Sequence, residues 1–177
     1  MTATRPQDDQ ENDSMTAPER LMKISRDIAV LSEGVNIIAV SKTFSSESIK
    51  PVLSAGHRIF GENRVQEAAE KWPDLKKSYP DTELHLIGAL QSNKAAQAVA
   101  LFDVIHSLDR IKLARGLAEE MKRQDRRLKI LVQVNTGEED QKSGISPEET
   151  VEFVSTCRAE LGLNIVGLMC LPPQQDV

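Results

Sequence analysis

Leu21, Ile24, Ile28 and Leu31 recur at helical spacing behind Thr16, Ala17, Pro18 and Glu19, which have the form of a capping box with proline in the first turn. The spacing predicts a first helix ending near Ser32, with Gly34 as its stop. Residues 35–41 (VNIIAVS) form a short, β-branched, nearly all-apolar run of the kind buried on both faces of a parallel sheet, and Lys42 stands at its end. The alternation then continues. A helix over 48–55 is expected, capped by Ser48 so that Pro51 falls in its first turn; a strand over 58–60 and a helix over 63–71, halted before Pro73, follow. Further strands are predicted at 83–87, 103–106, 129–135 and 164–170, with helices near 93–101, 109–124 and 147–160 between them.

Strands separated regularly by helices imply right-handed βαβ units and a parallel sheet. A doubly wound sheet ordinarily carries a glycine-rich phosphate loop after its first strand, and the segment after Val40 has none. The expected fold is therefore α/β, a (β/α)8 TIM-type barrel. It is expected to be incomplete, with about six of eight strands, because such a barrel takes roughly 250 residues and the chain has 177. Residues 1–15 are polar and acidic, with neither a secretory nor a transit signal, and are read as a disordered tail; Met15 is a candidate start. Residues 16–177 are assigned to the partial barrel.

Composition narrows the function. A net charge of -5 with scattered basic residues argues against a nucleic-acid surface, which needs clustered Lys and Arg. The densest basic run, Lys122 to Lys129, is interleaved with acids and reads as a solvated helix end. Cys157 and Cys170 have no motif spacing, and His57, His85 and His106 fall on separate elements, so neither a disulfide framework nor a metal site is expected. No apolar stretch approaches the ~20 residues of a membrane-spanning helix. A cytoplasmic monomer is the expectation.

Lys42 shares strand parity with Ile38 and Val40, so its stem would leave an apolar floor and its amine reach the mouth of the barrel, where reactive groups of this fold gather. Desolvation there would favour the free amine that attacks a carbonyl. On spacing alone, a solvated strand-end lysine is the commoner reading.

The motifs decide between them. They are Ala39-Val-Ser-Lys42-Thr43, Phe60-Gly-Glu-Asn63 with Val65-Gln-Glu67, His85-Leu-Ile-Gly88 continuing to Lys94, Ile105-His-Ser107 with Asp109 and Arg110, Val132-Gln-Val-Asn135, Lys142-Ser-Gly144, and Gly167-Leu-Met169. In this order they resemble the pyridoxal phosphate homeostasis protein family, over nearly the whole chain from about residue 20. The resemblance implies a barrel like the N-terminal domain of alanine racemase. It also implies pyridoxal 5'-phosphate held as a covalent imine on Lys42, no catalytic turnover, and a role in balancing intracellular cofactor and amino-acid pools, with cofactor-dependent client enzymes as partners.

Carried over by motif, Asn63, His85, Asn135, Lys142 and Met169 join Lys42 as candidate cofactor contacts. All but Asn135 have a plainer alternative: Asn63 as a helix cap, His85 as a hydrogen-bonded core residue, Lys142 as a solvated lysine, and Met169 as core. Asn93 reads only as a helix cap, and Arg64 departs from the family's usual aromatic residue. Family members continue through two more strands whose serine- and glycine-rich loops hold the phosphate, and which supply an arginine facing the pyridine nitrogen. Two other functions stay open: a racemase-like enzyme, and an inert fragment without the phosphate-binding segment.

Overall fold

A computed structural model describes residues 14–137 and 143–171; the tail assigned to the first 15 residues lies almost wholly outside this range. The first helix, α1 (Ala17–Leu31), opens on the expected capping box, with the Thr16 N–H donating to the Glu19 carboxylate at 2.7 Å. There follow β1 (Ala39–Val40), α2 (Ser46–Ser54), β2 (Ile59–Glu62), α3 (Val65–Ser78), β3 (Glu83–Leu86), a 3-10 turn (Ser92–Lys94) running into α4 (Ala95–Leu101), β4 (Val104–Leu108), α5 (Ile111–Arg123), β5 (Lys129–Val134), α6 (Thr150–Ala159) and β6 (Ile165–Cys170).

The six strands are all parallel and lie side by side in the order β1-β2-β3-β4-β5-β6. A doubly wound sheet reverses its strand order at a switch point, whereas this one never does. With right-handed crossovers, a monotonic order carries every helix to the same face. That is the winding of a (β/α) barrel, with six strands among the described residues. The core lies between sheet and helices: Phe60, Leu84, Leu86, Ile105, Ile130 and Val132 meet Leu53, Ala68, Trp72, Val99, Leu113 and Leu117, and all of them are essentially excluded from water.

Several expected boundaries move. The strand expected over 35–41 contracts to Ala39–Val40, because β1 pairs only with β2 among the described residues; Val40 is 45% exposed and Val35 is also open to solvent. The cap of α2 is Ser45, whose hydroxyl accepts from the Ser48 N–H at 3.3 Å, so Pro51 lies inside the helix rather than in its first turn. β2 extends past 60 to take in Glu62. The 92–94 turn begins at Gln91, so Asn93 is within it and is not the cap. α3 starts after Arg64, not at Asn63, and passes through Pro73 to Ser78.

Pro73 removes the N–H that the Ala69 carbonyl would have used, yet burial of Trp72 and Leu75 on one face outweighs that loss. The proline itself is exposed. Replacing it therefore restores a helical hydrogen bond without opening a cavity. Pro73→Ala is expected to raise the free energy of unfolding by about 1–2 kcal/mol, measured as a higher urea midpoint at unchanged slope.

Candidate functional site

Parallel strands present all their carboxyl ends at one rim, and a cleft of about 570 Å³ opens there. Lys42 reaches it from the end of β1, Asn63 from β2, Gly88 from β3, His106 from β4, Gln133 and Asn135 from β5, and Met169 from β6. This volume lies within the range of small-ligand sites. Four of the expected residues, Lys42, Asn63, Asn135 and Met169, thus come together. Lys42 is exposed, however, and not desolvated as its strand parity implied, since Val40 beneath it is itself open. Lys142 lies outside the described residues.

Two glycines let the rim close up. A Cβ on Gly88 would stand 2.3 Å from the Asn63 carbonyl oxygen, so only glycine allows β3 to end against Asn63. Gly144, at φ +139°, would place a Cβ 2.6 Å from the Asn135 nitrogen. Its loop is laced to β5: the Asn135 N–H donates to Ile145 O at 2.9 Å, Ile145 N–H to Gln133 O at 2.8 Å, and the Gln133 amide to Ser143 O at 2.9 Å.

His85 does not line the cleft; His106 does. The two rings are bonded, His85 Nδ1 to His106 Nε2 at 2.8 Å, and His85 Nε2 meets the Glu83 carboxylate at 2.8 Å. Glu83 in turn takes Lys129 at 2.6 Å. Burial alone would raise the Glu83 carboxyl, but the Lys129 and His85 bonds outweigh it and leave it below its ordinary value. An ionised Glu83 only accepts, which makes His85 Nε2 a donor and its Nδ1 an acceptor. His106 Nε2 is then the donor and His106 Nδ1 an acceptor. Burial lowers the His85 pKa, with Glu83 opposing, and burial followed by the neighbouring His85 lowers His106 to about 4. The cleft thus contains a neutral imidazole whose orientation is fixed from behind.

The turn that carries Lys42 is held by α3. The Lys71 ammonium, 8% exposed, donates to Ser41 O at 2.8 Å, Phe44 O at 3.0 Å and Glu67 Oε1 at 2.9 Å. It also pairs at 2.9 Å with Glu62 Oε1, which is fully buried and accepts from the Ser41 hydroxyl at 2.6 Å and the Trp72 indole at 2.9 Å. Glu67 accepts from the Thr43 N–H as well, and the Lys71 and Thr43 bonds hold its carboxyl below the usual range. Thr43 has φ +66°, a left-handed conformation that costs an L-residue about 1–2 kcal/mol.

His106, Gln133 and this Lys71 network were missed from the sequence. For His106 a signal existed, since it alternates with Ile105 and so faces away from the helices. For Lys71 there was none, because a lysine at an ordinary helical position carries no mark of burial. Among the described residues no cluster suits a metal ion, and no helix is long and apolar enough to cross a membrane.

Residues 21–177 match the family model for the alanine racemase N-terminal domain. The pyridoxal phosphate homeostasis protein of Vibrio alginolyticus is 39% identical over 142 residues, 79% of this chain and 61% of that protein. That of Aquifex aeolicus is 34% identical over 166 residues, 90% of this chain and 72% of the relative. The chain spans about three fifths of the length of the first of these. Among solved structures, PipY of Synechococcus elongatus without pyridoxal phosphate superposes with a TM-score of 0.81 at 37% identity, covering 90% of this chain and 73% of PipY. PipY with pyridoxal phosphate bound gives 0.78 at 35%, covering 89% and 71%.

The histidine pair makes a pH prediction. The unfolded His106 imidazole takes up a proton as pH falls through its ordinary value of 6.5, while the native one does so only near 4. Its contribution is therefore complete above 6.5 and is lost as pH drops towards 4. Between those limits the parent should lose about 3 kcal/mol of stability relative to His106→Gln, read from urea denaturation of both proteins at pH 7.5, 5.5 and 4. Parallel pH curves for the two would show that the ring is not held neutral.

Proposed function

The chain belongs to the pyridoxal phosphate homeostasis protein family, and from that premise we propose that it binds pyridoxal 5'-phosphate at the rim cleft, with Lys42 as the residue that holds the cofactor covalently. The observation that carries this reading is the meeting of an exposed primary amine, Lys42, with the amides of Asn63 and Asn135 around one cleft of cofactor size. Bound pyridoxal phosphate supplies an aldehyde that a primary amine captures with loss of water.

The other residues take roles that their chemistry allows. Asn63 and Asn135 offer amide donors and acceptors to ring substituents. Met169 provides an apolar wall beside Gln133, to which it is paired across β5 and β6. His106 presents an acceptor nitrogen, and His85 fixes it from one layer behind, so His85 acts through its neighbour rather than by direct contact. Lys142 remains a candidate for positive charge near the site.

The function proposed is binding and homeostasis, not turnover. The relatives carry homeostasis names rather than enzyme names. A two-base racemase also needs a second acid-base group opposite the lysine. The cleft offers His106, whose nitrogen is a weak base at a pKa of about 4. In the proposed role the cytoplasmic protein takes up free cofactor and releases it to cofactor-dependent enzymes.

The test is direct. The 177-residue chain mixed with pyridoxal phosphate should develop a visible absorbance band that borohydride bleaches, leaving the reduced adduct on the tryptic peptide containing Lys42. Lys42→Ala should lose the band and the adduct together, and an adduct persisting at the cleft without Lys42 would refute the assignment. Exchange of the α-deuterium of labelled amino acids should run no faster than with free cofactor.

A further inference from the structure

The sheet ends before it reaches the lysine. β1 stops at Val40, and the last strand-type bond is the Ser41 N–H to Gly61 O at 2.9 Å. Beyond it the backbone turns, with Phe44 N–H returning to Ser41 O at 3.2 Å, and Thr43 takes up a left-handed conformation that a β-branched residue avoids unless its surroundings enforce it. The enforcement comes from one face of α3. Lys71 takes the carbonyls of Ser41 and Phe44, the two ends of the turn, while Glu67, one helical turn earlier, takes the N–H of Thr43 between them.

We infer that Lys71 is the positioning residue for Lys42: its buried ammonium, fixed between Glu62 and Glu67, sets the turn from which the capturing amine projects into the cleft. The inference rests on the proposed capture of pyridoxal phosphate at Lys42.

A buried ammonium persists only when it is paired and hydrogen-bonded, and here both conditions are met by groups that leave it little freedom. Glu62 is itself immobilised, with Ser41, Lys71 and Trp72 all on Oε1, and its Oε2 is buried without a hydrogen-bond partner. The Lys71 stem is anchored in the helix whose next residue, Trp72, packs with Phe60 of β2 at a ring separation of 5.1 Å. The position of the turn is thereby referred to the core of the neighbouring βα unit. Lys42 is exposed, so its approach to the cleft depends on where this turn is held. Capture by an amine depends on where its backbone is held, and displacement by about 1 Å costs up to ~100-fold in such chemistry.

The test compares the parent chain with Lys71→Met at a temperature where circular dichroism shows both fully folded, so that lost stability alone does not alter the reading. The dissociation constant for pyridoxal phosphate, titrated by visible absorbance, should rise at least about tenfold, while borohydride still fixes the adduct on Lys42. A folded Lys71→Met with the parent's dissociation constant would overturn the inference. Should Lys71→Met show no cooperative unfolding transition, Glu67→Ala decides instead: it removes one of the two carboxylates that fix Lys71 together with the acceptor of the Thr43 N–H. A dissociation constant raised about threefold supports the inference, and an unchanged one overturns it. A parent chain that forms no adduct on Lys42 refutes the proposed function itself, and the inference with it, before any variant is compared.

Discussion

Every strand of this sheet runs in the same direction and lies next to the one before it, and that single constraint governs where chemistry collects. A right-handed crossover from each strand to the next puts every helix on one face, leaving the other face to line the interior. The carboxyl ends then share a rim. Residues separated by more than a hundred positions, Lys42 and Met169, come to border one cleft because each follows or ends a strand of common polarity. Polar side chains are tolerated there because the rim meets solvent, whereas the same residues in the sheet-to-helix core would need partners.

Where ionisable groups do enter the interior, the partners are present and the groups are ordered in chains. Glu62, Glu67 and Lys71 form one such chain, and Lys129, Glu83, His85 and His106 form another. Both end at the cleft, one at the backbone of Ser41, Thr43 and Phe44 around Lys42 and the other at the ring of His106. In each, the outermost member is oriented by groups that do not themselves reach the cleft. A ligand at the rim therefore meets an amine and an imidazole set by the βα units behind them. The histidine pair in that arrangement stays neutral, because burial lowers the pKa of both rings.

The elements themselves were largely legible in the chain. Periodicity placed six strands and the helices between them, and the absence of a phosphate loop after Val40 separated a barrel from a doubly wound sheet. Boundaries moved, and two of the misplaced helix features show why. Proline was read as a boundary at Pro73, where burial of Trp72 and Leu75 carried the helix on. Ser48 was taken for a cap, where Ser45 captures the Ser48 N–H instead. Both are cases in which packing or a competing hydroxyl overrode a local rule.

Sequence by itself determined the alternation of strands and helices, the chain's membership of its family through ordered motifs, and the placing of Lys42 and Asn135 at strand ends, because strand period and turn chemistry are local properties. Only the tertiary structure decided which histidine faces the cleft, that Lys42 lies in solvent, and that Lys71 is buried against the turn. Those depend on the register between β3 and β4, on which neighbours flank β1, and on the rotation of α3. All three are set by contacts between segments that no short window of sequence contains.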